Sequence, residues 1–200
     1  TTVFGLALVV VLVAAPSAEA ANVELALGID MSGSIAPADF TLQKTAYLNA
    51  LSNAAILPLD GSVAVGVWFF ASGVSNVFPT QEITGANIAA LLASISGQAQ
   101  SGGLTDIAGT ITAASNQLLG NAVTSNRQVI DISTDGFQTV AGNPTTAAAN
   151  AVADAGLVTK ATDAEAEPTI PPDRMGCHIG AGLIAADIEE LTAALVTSRH

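Results

Sequence analysis

The sequence predicts an α/β fold: an open, mostly parallel sheet with helices on both of its faces. Three observations carry that prediction. The stretches 23–30, 63–70 and 128–133 are nearly continuous apolar runs of strand length, the pattern of strands covered on both faces. Segments with helical spacing of apolar residues separate them. Strand and helix then alternate along the chain, which favours crossover connections and a parallel sheet.

With 200 residues, half of them hydrophobic, the chain can bury one substantial core and is too apolar for general disorder. The opening segment, residues 1–20, reads as a secretory signal incomplete at its start. Phe4 to Ala15 is apolar, and Pro16, Ser17 and the small-x-small triplet Ala18-Glu19-Ala20 follow as a cleavage site. An uncleaved anchor is the alternative, although the run is short for a span. The rest, 22–200, is expected to form one domain that is exported, periplasmic or extracellular, with no stable membrane insertion after cleavage.

Each element has its own signals. Val23 to Asp30 is the first strand. Pro37 and Asp39 suit a first helical turn, and Phe40, Tyr47, Leu48, Leu51 and Ala55 continue as an apolar stripe. Asp60-Gly61 is a turn before the strand 63–70, where Trp68 is a core residue. Residues 75–83 form a shorter strand, placed at an edge because Pro79 lacks a ladder donor. Ile88, Leu91, Leu92 and Ile95 mark a short helix that Gly97 can end. A polar surface loop spans 98–103, and Ile107, Ile111, Ala114 and Leu118 mark a helix closing near Gly120. After the strand 128–133, Asn143 and Pro144 form an N-cap and first helical position, continued through 148–155. Residues 157–182 are atypical: 157–159 is a weak strand signal, and 163–173 is acidic, proline-containing and loop-like. Ile184, Ile188, Leu191 and Leu195 form a last amphipathic helix.

Charge and cysteine content narrow the function. Five Lys plus Arg against seventeen Asp plus Glu give a formal charge of −12, so no basic patch exists for nucleic acid or an anionic membrane. Cys177 is the sole cysteine, so the chain has no internal disulfide. Neither His178 nor His200 has zinc-ligand spacing, and Cys177 beside His178 has no third partner nearby. There is no phosphate-binding glycine loop with lysine and no nucleophile elbow.

The chemistry lies elsewhere. Asp30-Met31-Ser32-Gly33-Ser34 places one carboxyl and two hydroxyls directly after the first strand. Thr105, in Gly103-Leu104-Thr105, and Asp135, in Ser133-Thr134-Asp135-Gly136, add two more oxygens at loops of the same kind. Ligands of open α/β sheets bind at the carboxyl ends of the strands. These are hard donors suited to Mg²⁺, with Mn²⁺ or Ca²⁺ as alternatives, and Asp30 and Asp135 would repel each other without a cation. Asp30, Ser32 and Ser34 alone also fit simple helix capping. Asp106 reads as a helix first-turn acid. Asp131 and Ser133 read as sharing a strand face with Asp135, in support of the site or in a buried hydrogen-bonding role.

The three segments around Asp30, Thr105 and Asp135 resemble the metal-ion-dependent adhesion site (MIDAS) of von Willebrand factor type A (vWA) domains, over about residues 22–156. The run 127–133 is similar to that of exported bacterial members of the family. The resemblance implies a Rossmann-like, three-layer fold with one antiparallel edge strand. It also implies that Ser32, Ser34 and Thr105 hold the ion directly or through water, that Asp30 and Asp135 act directly or from behind, and that an acidic residue of a protein partner completes the coordination. The function expected is a non-enzymatic, metal-dependent protein-binding or adhesion module. A structural or assembly protein with a non-essential metal site is the alternative. A metal-dependent hydrolase is a weaker one, because no His or Glu lies in the three clusters to act as a base.

Overall fold

The computed structural model describes residues 21–155 and 158–163, with side chains over 21–153. The expected signal segment, the last amphipathic helix, Cys177, His178 and His200 lie outside the described residues. Within them the order is β1 (Val23–Asp30), α1 (Pro37–Leu51), β2 (Asp60–Phe70), β3 (Val74–Thr84), α2 (Ile88–Ser96), α3 (Ile107–Gly120), β4 (Gln128–Thr134), α4 (Pro144–Ala155) and β5 (Val158–Asp163).

The sheet runs β3-β2-β1-β4-β5. β1 is central and pairs in parallel with β2 and β4, β4 pairs in parallel with β5, and only β3 is antiparallel, against β2. Every residue of β1 is buried, which is why its sequence shows no polar alternation. Successive side chains point to opposite faces. Leu25, Leu27 and Ile29 therefore join Phe40, Tyr47 and Leu51 of α1 and Leu91 and Ile95 of α2 on one face. Ala26, with Trp68, Ile130 and Ile132, packs against Ile107, Ile111 and Leu118 of α3 and Ala151 of α4 on the other. Phe40 meets Phe69 edge to face, with ring centroids 6.2 Å apart. Burying each such large side chain contributes about 1.5–3 kcal/mol. Gly28 is required by close approach: a Cβ there would come within 2.8 Å of Thr110 Cγ2 on α3.

Several expectations change in detail. Ala55 lies beyond the end of α1 and is exposed, while Gln43, Ala46 and Ala50 supply the rest of the buried face. Asp60 and Gly61 belong to β2, with Gly61 at φ +84°. β3 is as long as β2, eleven residues each. Its ladder to β2 contains register shifts around Pro79's region, where an edge strand can absorb them. Gly97 caps α2 in ordinary right-handed conformation, so its freedom is unused. Lys44 instead reaches Ser96 O and Gln98 O at that helix end, with its ammonium 5.1 Å from the Phe40 ring centroid. The weak signal after α4 is a real strand: β5 pairs with β4 from Val129↔Val158 to Thr134↔Asp163. Asp163, expected in a loop, is its last residue.

Candidate metal centre

Parallel register brings the ends of β1, β2 and β4 to one edge, with Asp30 opposite Phe70 and Ile29 opposite Ser133. The loops that leave this edge carry the oxygens. Asp30 is fully buried. Its Oδ1 accepts from the Ser32 backbone N–H at 2.7 Å, and its Oδ2 accepts from Thr134 Oγ1 at 2.5 Å. The first bond closes an Asx-type turn, which aims the chain after β1 across the sheet edge. The second ties β1 to β4 at the level of the site.

Above Asp30 runs a line of hydroxyls. Ser32 Oγ and Ser34 Oγ are 2.9 Å apart, and Ser34 Oγ donates to Asp135 Oδ1 at 2.8 Å. A hydroxyl has one proton, so Ser34, donating to Asp135, has only acceptor capacity left toward Ser32, whose own hydroxyl also reaches the Asp30 carboxyl. Both oxygens retain lone-pair capacity for a further electrophile. Thr105 is buried, and its hydroxyl converges on the same point. A Cβ on Gly136 would stand 3.3 Å from Ser34 Oγ and 3.6 Å from Thr105 Oγ1. All five predicted residues thus gather at one place, Ser32, Ser34 and Asp135 by hydrogen bonds and Thr105 by proximity.

The loops are fastened to one another. Gly33 N donates to Gly103 O at 3.0 Å, and Gly102 N donates to Met31 O at 3.0 Å. Gly102 and Gly103 adopt φ of +68° and +94°, conformations other residues rarely take. Gln100 Nε2 donates to Ser32 O at 3.0 Å and Ile35 O at 2.7 Å. On the other side, Thr105 N donates to Thr139 Oγ1 at 2.8 Å, and Thr139 N returns to Thr105 O at 3.0 Å.

Burial pushes the Asp30 carboxyl above its ordinary value; hydrogen bonds from Thr134 and Ser32 pull against the rise, and the charge of Asp135 adds to it. A cation would relieve both the burial cost and the repulsion. The donors are oxygens throughout, and among the described residues no group of three or more His, Cys, Asp or Glu is poised to hold a metal. A hydroxyl-rich set with two acids fits a hard ion of the Mg²⁺ type better than one that seeks nitrogen or sulfur.

Neighbouring acids have other tasks. Asp106 is the N-cap of α3, accepting from Gly109 N at 2.9 Å. β4 ends at Thr134, so Asp135 stands beyond the strand. Ser133 instead accepts from Gln43 Nε2 at 2.7 Å on the α1 face. The residue that holds Asp30 is Thr134, on the opposite face from Ser133. Its alternation with Ile130 and Ile132 was the available signal.

Residues 20–168 match the family model described as protein of unknown function (DUF1194). The chain belongs to the DUF1194 family. No curated protein matches it. Among solved structures, this DUF1194 chain is similar to proximal thread matrix protein 1 from the mussel byssus: 15% identity, TM-score 0.67, covering 86% of this chain and 47% of that one. Another structure of that byssus protein has a zinc-occupied MIDAS motif. The pilus adhesin SpaC from Lactobacillus rhamnosus GG is 17% identical, with TM-score 0.68, 89% of this chain and 30% of the adhesin being covered. An aerotolerance-related membrane protein from Bacteroides fragilis is 13% identical, with TM-score 0.61, 88% of this chain and 100% of that one. The DUF1194 chain therefore spans less than half of the byssus protein and of the adhesin. At these identities the likeness concerns fold, and the fold is the vWA fold.

Proposed function

We propose that this protein is a metal-dependent protein-binding or adhesion module with an intact MIDAS, in which Mg²⁺ captures a carboxyl group of a partner protein. The observation that supports it best is the Ser32–Ser34–Asp135 hydroxyl relay, at hydrogen-bond spacing and joined by Thr105, at the ligand-binding edge of the sheet. Ser32, Ser34 and Thr105 would hold the ion through their hydroxyl oxygens. Asp135 would compensate its charge directly, and Asp30, whose oxygens are both occupied, would do so from behind the serines. When bound, the ion supplies the positive charge that draws a carboxylate. Among the described side chains no other cation stands on this edge: Lys44 is engaged at the end of α2, and Arg127 precedes β4 at the opposite edge.

The function is non-enzymatic in this reading: of the two carboxyls that could act as a base, Asp30 has both oxygens engaged by Ser32 and Thr134, and Asp135 accepts from Ser34 and would serve the ion. The protein is exported and acts in the periplasm or outside the cell, as its signal-like first twenty residues imply. Among the described residues no helix is long and apolar enough to cross a membrane. Isothermal titration of Mg²⁺, Mn²⁺ and Ca²⁺ into wild type and Asp30→Ala tests the site. Saturable binding lost in the variant supports the proposal; absence of binding in both sinks it.

A further inference from the structure

We infer that the partner presents its acidic residue beside a bulky apolar side chain, which seats on Leu104 and Phe137. The inference rests on the proposed carboxyl capture and specifies the chemistry of what is captured. Among the described residues, Leu104 and Phe137 are the two most exposed large hydrophobics, at 52% and 67%. Each lies beside a site oxygen: Leu104 directly precedes Thr105, and Phe137 follows Asp135 by two residues. The other exposed ones, Leu42, Leu59, Leu119 and Val152, lie elsewhere on the chain, away from the five oxygen donors.

Their exposure is built in. Leu104 N donates to Ser72 Oγ at 2.8 Å, just after Gly103, whose own Cβ position is filled by that serine. Phe137 precedes Gln138, whose side chain accepts from Ala108 N at 2.9 Å and donates to Asp106 Oδ1 at 3.1 Å and Val140 O at 2.9 Å. The two loops are joined through Thr105 and Thr139. Hydrogen-bonded loops therefore hold two large apolar groups in water next to residues of the site, Leu104 beside Thr105 and Phe137 two positions after Asp135. Apolar groups held in this way at a polar centre mark a contact surface.

Charge selects the partner further. The chain carries −12, so a polyacidic segment would be repelled as a whole while one of its carboxyls was attracted. A single acid with an aliphatic or aromatic neighbour avoids that repulsion and gains from burying Leu104 and Phe137.

The test uses the full chain and two capped peptides, Gly-Gly-Asp-Gly-Gly and Gly-Phe-Asp-Leu-Gly, titrated with saturating Mn²⁺ or with chelator. In Mn²⁺ the apolar peptide should bind about tenfold tighter, the factor expected from partly burying two large side chains. The combined Leu104→Ser and Phe137→Ser variant should lose that preference while binding Mn²⁺ as wild type does. Equal affinities for the two peptides in Mn²⁺ would overturn the inference and leave carboxyl capture standing. No binding of either peptide would overturn both. Equal binding of the apolar peptide in chelator would separate the apolar surface from the metal site and overturn the inference. So would a dimer, seen by sedimentation, that the double variant abolishes, since a second copy would then occupy the surface.

Discussion

Replacing Asp30 by Asn separates the cost of the site from its use. Asn preserves the shape: Oδ1 still accepts from Ser32 N, and Nδ2 can donate to a rotated Thr134 hydroxyl. It removes a carboxyl whose value in the folded state is raised by burial. A raised carboxyl favours the folded state when protonated, so ionised Asp30 costs stability at neutral pH. In chelator, Asp30→Asn should therefore match wild type or exceed it by up to about 1 kcal/mol. With Mg²⁺ at about 100 times its dissociation constant, wild type should gain about 2.7 kcal/mol and the variant little. For a chain of this size that gain is a rise of about 5–10 °C in Tm, so the order of stability reverses on adding metal. Thermal unfolding of both proteins in EDTA and in Mg²⁺ measures all four values. A variant destabilised by about 2 kcal/mol in EDTA would show that the charge is structural. An undiminished Mg²⁺ shift in the variant would refute the role given to Asp30.

Metal affinity should weaken as pH falls through the raised value of Asp30, above the ordinary 3.8, because proton and cation compete for it. Over that window, metal-free wild type should gain stability relative to Asp30→Asn as pH falls; titrations of both at several pH values check each trend. Thr134→Val, which deletes the donor to Asp30 Oδ2, should cost about 1.5–3 kcal/mol in urea unfolding and weaken Mg²⁺ binding by raising Asp30 further. Glu24→Gln should cost about 1–3 kcal/mol with metal affinity unchanged. The buried Glu24 side chain accepts from Asn121, Ser125 and Gln128, three donors set around a carboxylate that an amide would have to rearrange, and it stands at the far end of β1 from Asp30. Weaker Mg²⁺ binding in that variant would show that scaffold and site are coupled.

Strands β1, β2 and β4 were legible because burial on both faces leaves a nearly continuous apolar run, and α3 because its stripe is regular. That Asp30, Thr105 and Asp135 would meet at one edge of the sheet was legible because Asp30 ends β1, Thr105 stands shortly before α3 and Asp135 follows β4. What escaped depended on partners distant in sequence. Gln43 is buried because it reaches Ser133, ninety positions away, so an apolar stripe passes over it and takes Ala55 instead. Thr134 matters through Asp30, 104 positions back. Gln100 looks like loop polarity until Ser32 O and Ile35 O lie beneath it. β5 reads weakly because it is an edge strand, completed by the ladder to β4 more than by its own sequence.

The strand order also sets how the fold would carry load. The chain enters β1 at Val23, on the edge away from the hydroxyl relay, and leaves β5 at Asp163, on the edge that bears it. Tension between those two points runs along the strands, so β1, β4 and β5 must slide past one another with many ladder bonds strained together. Tension across the sheet, from β3 to β5, would open one pair at a time. Pulling single molecules along the first axis should require the larger force. A carboxyl gripped at the relay lies near the exit of β5, so a tether leaving the chain there would load the grip with little of the sheet in its path.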